Sequence, residues 1–217
     1  MIMERIGIII ALVLSVANTI LIVKQLINEF NSKPKLIIEV LHPDLYQWYF
    51  KIPSGLYRGL KTRNYGFLTY VSIRNKGLKE TSLDSWFLDI KVYDGSFTRR
   101  HPISIPEPIL KLGKTGNVKI LPSLGTKGLF HDGSTSIRPG NSISGVSYFF
   151  ISFYGGDYYN PIFKDNKILG KFVIIDGFGR KTEKEILFNE MPLEKIKEMV
   201  PDIDKIIDAT NLELIGY

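Results

Sequence analysis

Residues Ile6 to Val23 (IGIIIALVLSVANTILIV) run for eighteen positions without a charge, bracketed by Glu4 and Arg5 before them and Lys24 after them. As a helix rising ~1.5 Å per residue, the run covers roughly 27 Å, close to the ~30 Å hydrocarbon core of a bilayer. The chain is therefore expected to cross a membrane once, helped by a snorkelling Lys24, and to carry everything after it as a tethered domain. A secretory signal peptide is the competing reading, because Ser15-Val16-Ala17 places small residues where a signal peptidase cleaves. The apolar pattern does not stop there: Ile20 to Val23 follow, then Leu26, Ile27 and Phe30 at helical spacing, so a retained anchor is the simpler reading. Arg5 stands alone on the short N-terminal side against Lys24, Lys33 and Lys35 on the other, which favours a cytoplasmic domain.

Within the span, Gly7, Ala11, Ser15 and Asn18 fall in an arc of about 80° when each residue is turned through ~100°. Small residues and one amide on a stripe suit close helix approach, and self-association through this helix is one expectation. The remaining chain suffices for one good-sized domain and a short appendage. Its charge is uneven: residues 24–175 hold 21 Lys and Arg against 11 Asp and Glu, whereas residues 176–217 hold 6 against 10. The acidic end is expected either to lie against the basic body or to offer a helix to a partner.

After the span, residues 24–35 read as a helical extension and linker, broken at Asn31-Ser32-Lys33-Pro34 because proline disfavours helix in the residue before it. Strands are expected at Leu36–Leu41, Phe67–Arg74, Trp86–Tyr93, Asn117–Leu121 and Ser142–Phe153, with Lys171–Ile175 and Lys184–Phe188 forming a hairpin around Asp176-Gly177-Phe178-Gly179-Arg180. Asn75-Lys76-Gly77 ends its strand with residues that tolerate positive φ. Two stretches, Pro43–Tyr65 and Ser96–Ser136, lack the strand rhythm and read as long loops or as weak strands. Leu193, Ile196, Met199 and Val200, then Ile203, Ile206 and Ile207 beyond Pro201, read as two short amphipathic helices. The predicted organisation is a tail 1–5, a span 6–23, a linker 24–35, an all-β antiparallel sandwich 36–190 and an acidic helical tail 191–217.

The N-terminal span, the Lys33-Pro34-Lys35-Leu36 lead-in, the Ile73-Arg74-Asn75-Lys76-Gly77 strand end, the Arg138-Pro139-Gly140 turn and the Ile175-Asp176-Gly177-Phe178-Gly179-Arg180 hairpin together resemble small single-pass membrane-anchored bacterial proteins with an immunoglobulin-like domain. The resemblance implies the sandwich and the anchor; it implies no activity.

Catalytic signatures are scarce. The chain has no cysteine, and the serines that could pair with His42, His101 or His131 sit in no Gly-x-Ser-x-Gly elbow; Ser142 and Ser144 fall on a predicted strand. Gly113-Lys114-Thr115 lacks the earlier glycine of a phosphate-binding loop, since position 108 is Pro108. Asp202, Asp204 and Asp208 read as a solvated helix face, and no His-x-x-x-His pair exists, so no metal, no cofactor and no enzyme are expected.

The segment with most physical content is basic and aromatic. Between Asp44 and Glu80 there is no acidic residue, while Lys51, Arg58, Lys61, Arg63, Arg74, Lys76 and Lys79 alternate with Tyr46, Trp48, Tyr49, Phe50, Tyr57 and Tyr65. The cations suit anionic lipid headgroups, with nucleic acid the less favoured surface, and the aromatics suit either stacking platforms or a sandwich core. The expected function is a membrane-anchored, non-enzymatic binding or accessory module that recruits a protein partner at the cytoplasmic face. The alternatives are an extracytoplasmic glycan or surface-partner domain and an enzyme of unrecognised type.

Overall fold

The computed structural model describes residues 2–53, 56–57, 59–102, 121, 124, 136–154, 160–200, 203–205 and 207. Helix α1 (Ile2–Asn31) is thirty residues long, about 45 Å at 1.5 Å per residue. Its stretch Ile10–Glu29 is long and apolar enough to cross a membrane, and none of it is buried against the rest of the chain. The helix ends where Ser32 donates from its backbone to Asn28 O (2.8 Å) and from Oγ to Glu29 O (2.9 Å), two residues before Pro34.

The body is a β-sheet in which β4 (Leu60–Asn75) is the spine. One edge of β4 carries β8 (Ser142–Tyr154) along nearly its whole length, from Thr62 opposite Tyr154 to Arg74 opposite Ser142. The other edge is divided. β1 (Leu36–Val40) pairs with its C-terminal half and β2 (Trp48–Ile52) with its N-terminal half, both antiparallel. β2 then meets β11 (Lys181–Glu190) in a parallel step, Trp48 opposite Asn189 and Tyr49 opposite Glu190, and the sheet continues through β10 (Lys167–Asp176), β5 (Thr81–Lys91) and β6 (Phe97–Arg100). The short pieces β3 (Leu56–Tyr57), β7 (Ser136–Ile137) and β9 (Phe163–Lys164) pair with β4, β5 and β10. Phe149 on β8 and Phe172 on β10 are far apart in strand order, yet their rings lie 6.0 Å apart at 80°, so the sheet curls into two facing layers.

Alternation explains what each face does. Tyr65, Phe67, Val71 and Ile73 of β4, with Phe149, Ile151 and Phe153 of β8, point into the interlayer core and meet Leu88, Phe172 and Phe188. Leu68, Val146, Tyr148 and Phe150 point the other way, with Trp48 and Phe50, and are covered by Ile196 of α2 (Leu193–Met199) and by Val200, Ile203 and Ile207. β8 is therefore buried on both faces from Gly145 to Phe153, which is why its sequence stops alternating.

Several expectations take a different form. β2 lies inside the rhythmless stretch Pro43–Tyr65, and β4 begins at Leu60, seven residues before the predicted Phe67. Residues 117–120 of the predicted strand Asn117–Leu121 lie outside the described residues; Leu121 is buried under the tail helices. The described tail residues sit on the body through apolar side chains, and Lys197 pairs with Asp204 of the tail itself (2.9 Å). The hairpin at Asp176–Arg180 forms as expected. The turn after β4 does not use positive φ at Asn75 or Gly77. Gly77 is required because a Cβ there would overlap the backbone of Lys33, Pro34 and Lys35, and Asn75 acts through its side chain.

Candidate functional site

Where β1 gives way to β2, the seam between the two layers opens. Thr182 Oγ1 reaches Leu36 O (3.5 Å) at one end, and Asn189 N donates to Gln47 O (2.9 Å) at the other. Between these closures lies a cleft of about 550 Å³, lined on one side by Ile38, Glu39 and Val40 and on the other by Lys184, Glu185 and Ile186. Among the described residues, the outer edge of β1 and that of β11 before Asn189 have no strand partner. The 41–47 loop forms the roof, with Pro43, Asp44 and Gln47 in the lining. It is held in an uncommon backbone: His42 has φ 50° and Tyr46 φ 79°, left-handed values for bulky side chains. Buried Gln47 fixes it, donating from Nε2 to Leu41 O (3.0 Å) and Tyr70 O (3.3 Å) and accepting from Thr69 Oγ1.

The cations expected to share one surface are distributed over the two ends of β4. Arg63 and Arg74 are eleven residues apart on the strand, about 36 Å at ~3.3 Å per residue. Lys51 and Arg63 belong to the end far from the helix; Arg74, Lys76 and Lys79 belong to the end where the linker arrives. Arg58 and the Lys61 side chain lie outside the described residues. Lys51 pairs with Glu190 (2.7 Å), Arg74 approaches Glu39 (4.0 Å), and Arg63 is half-buried. The aromatics Tyr46, Trp48, Tyr49, Phe50 and Tyr65 are buried in the two cores and offer no stacking platform. In α1, Gly7, Ala11, Ser15 and Asn18 are all exposed, and Ser15 O accepts from Thr19 Oγ1 (2.9 Å).

Two polar clusters escaped the sequence reading, the first because its members are remote in the chain and the second because it depends on the register of two paired strands. Tyr49 Oη reaches Glu190 Oε2 (3.0 Å) and Asn166 O (3.1 Å), tying β2 to β11 and to the turn before β10. Burial, then the neighbouring Glu190, pushes the Tyr49 hydroxyl above the ordinary tyrosine value, while Lys51 foremost, with Tyr49, holds Glu190 below the usual carboxylate value against a smaller effect of burial. On the outer face of the second layer, Arg99 donates from Nε and Nη2 to the two oxygens of buried Asp89 (2.8 and 2.9 Å), its guanidinium 3.6 Å from the Phe87 ring centroid. Hydrogen bonding to Asp89 raises the Arg99 pKa further.

His42 stacks on Tyr70 beside the tail, whereas His101 packs edge-on to Phe87 on the opposite layer; His131 lies outside the described residues. Ser142 is exposed at the start of β8 and Ser144 is half-buried. Among the described residues no group of three metal-ligating side chains occurs. Asp202 and Asp208 lie outside the described residues.

No family model and no curated protein matches the chain. Two solved structures align over 73% of it, each with a TM-score of 0.32: a Northeast Structural Genomics Consortium target at 8% identity, covering 88% of that chain, and a structure described as an ApaA protein from Bordetella pertussis at 15% identity, covering 96% of that chain.

Proposed function

We propose that the protein is a membrane-anchored, non-enzymatic binding module whose immunoglobulin-like sandwich faces the cytoplasm and captures an extended segment of a protein partner in the β1/β11 cleft. The observation that carries this reading is the cleft itself, with two strand edges that lack partners among the described residues facing each other across a preformed opening. Such edges recognise an extended peptide through its main chain, with neighbouring side chains supplying selectivity. The lining is mixed, Glu39, Asp44 and Glu185 against Lys167 and Lys184, which suits a polar segment. The strained roof supports the same reading, because unfavourable backbone angles persist where surrounding contacts over-determine a loop and are concentrated at binding sites. Burial of Tyr46, Trp48, Tyr49, Phe50 and Tyr65 argues against sugar or base stacking on them.

A photoreactive side chain at Lys184, which opens into the cleft, is expected to give a discrete cross-linked product in cells, and one at Tyr93, in the turn after β5 at the far end, none. Equal products from both positions, or none from Lys184, would sink the cleft assignment. Orientation is tested separately with Asp94→Cys in this cysteine-free chain. Asp94 is exposed, so a membrane-impermeant maleimide should label it only after lysis. Labelling of intact cells would make the extracytoplasmic partner-binding reading the correct one.

A further inference from the structure

The end of the sandwich that receives the linker is built differently from the other. Lys35 N donates to Asn75 Oδ1 (3.2 Å) and Lys76 N to Lys35 O (2.8 Å), so the chain is fastened to the body four residues beyond the end of α1, at most about 13 Å of extended chain away. The turns around this point are stitched together: Gly140 N to Asn75 O (2.8 Å), Asn75 N to Asn141 O (3.0 Å), and Gly177 N to Ser82 O (2.9 Å). From them project Leu78, 69% exposed, and Phe178, 64% exposed, the two most exposed large apolar side chains among the described residues outside α1. Phe178 is presented by a rigid tip: Asp176 accepts from the backbone N–H groups of Phe178 and Arg180 and from the Arg180 guanidinium, which lies 5.3 Å from the Phe178 ring centroid.

Around these apolar tips the charge is one-sided. The linker and the three turns carry Lys33, Lys35, Lys76, Lys79, Arg138 and Arg180 against Glu80 and the buried Asp176 that Arg180 occupies, with Glu29 on the flanking helix end and Asp84 on the flanking strand. Apolar tips within a ring of cations are the chemistry of an anionic bilayer surface, which takes the tips into its interfacial zone and the cations among its headgroups.

We infer that this end of the domain docks on the anionic bilayer that holds its own helix, with Leu78 and Phe178 inserted at the interface and Lys35, Lys76 and Lys79 over the headgroups. The proposal rests on α1 spanning the membrane. The opposite end, with Lys51 and Arg63, then stands tens of ångströms from the lipid, beyond the ~8 Å screening length at physiological salt, and takes no part.

The test uses the full chain in nanodiscs with a nitroxide at Asn141→Cys, in the turn bonded to Asn75, and a control at Asp94→Cys at the far end. In discs containing anionic phosphatidylglycerol, the Asn141 label should be shielded from a water-soluble nickel relaxant and the Asp94 label should not. Each lysine near such a surface accounts for about fivefold in population, so Lys76→Gln with Lys79→Gln should lower the docked-to-free ratio about thirtyfold. Equal accessibility at the two sites overturns the docking, and shielding that persists unchanged in neutral phosphatidylcholine overturns the anionic assignment. A full chain that fails to float with vesicles after alkaline extraction overturns the span on which both depend.

Discussion

Replacing Asn75 with alanine removes the side chain that joins linker, turn and sheet. Asn75 is fully buried; its Oδ1 accepts from Lys35 N (3.2 Å) and Gly77 N (2.9 Å), and its Nδ2 donates to Lys79 O (2.7 Å) and Ile137 O (2.9 Å). The bonds to Gly77 and Ile137 are buried, and a buried group left unmet costs about 1–3 kcal/mol; the groups on Lys35 and Lys79 are half-exposed, recover water and lose about 0.5–1 kcal/mol each. Together these come to about 3–8 kcal/mol, and a loss of about 4 kcal/mol is already a large share of the 5–15 kcal/mol that holds a typical domain. Trp48 and Trp86 are both buried, so their fluorescence reports unfolding. Urea titration of the full chain in detergent should show a midpoint lower by about 2 M, taking an m-value near 2 kcal/mol per molar, with Lys76→Ala as an exposed control that moves little. A loss under about 1 kcal/mol with an unchanged m-value would refute the clamp. Asn75→Asp sharpens the test. It keeps an acceptor for the two N–H groups but turns a carboxylate toward two carbonyls, which raises its folded pKa above the unfolded ~3.9. The penalty is absent below the unfolded pKa and grows as pH rises through the folded one, so this variant should regain stability on acidification and Asn75→Ala should not.

Gly66 lies opposite Phe50, whose ring occupies the space a Cβ would need, so Gly66→Ala should cost about 2 kcal/mol by displacing a ring packed under the tail helices; a stabilised variant in the same urea assay would show that the ring moves freely. Glu190 is held below its ordinary pKa chiefly by Lys51, so its contribution is present above the unfolded ~4.3 and is lost as pH falls through the depressed folded value. Glu190→Gln should flatten the acid limb of stability against pH, and an unaltered slope would remove the role. For the span, Asn18→Leu should shift the oligomer distribution in lipid toward monomer; an unchanged distribution would remove the amide from any helix pairing.

The parts of the fold legible in the sequence are those whose signal is local. The apolar run of α1, the alternation through Phe67–Arg74 and the Asp-Gly-Phe-Gly-Arg hairpin each state their geometry within a dozen residues. β2 was hidden because Trp48, Tyr49 and Phe50 are all buried: the strand sits between the interlayer core and the tail, so both faces are apolar and alternation disappears. The Asn75 clamp was half visible. A strand-ending asparagine is readable, but partners at Lys35 and Ile137 are forty and sixty-two residues away and no local rule supplies them. The basic aromatic segment misled for the complementary reason. Proximity in sequence suggested one patch, whereas an extended strand separates its ends by tens of ångströms, and Tyr49 and Tyr65 enter one core while Tyr46, Trp48 and Phe50 enter the other.

That separation also bears on what the cleft can reach. Ile38 to Val40 lie three to five residues beyond Lys35 on a strand leading away from the linker, about 10–17 Å from the end of the domain that carries Leu78 and Phe178. The far tip, where β4 begins, is fifteen residues from Asn75, about 50 Å along the same spine. With the linker end docked, a segment bound in the cleft is confined to within a few nanometres of the bilayer, which selects partners that are themselves embedded in or lying on the membrane. With the domain free on its linker, the same cleft samples a larger volume and the selection disappears. The Lys76→Gln, Lys79→Gln variant, which leaves every cleft residue in place, should therefore weaken cross-linking from Lys184 to a membrane-bound partner. Undiminished cross-linking in that variant would mean that the cleft recognises its partner without help from the lipid surface.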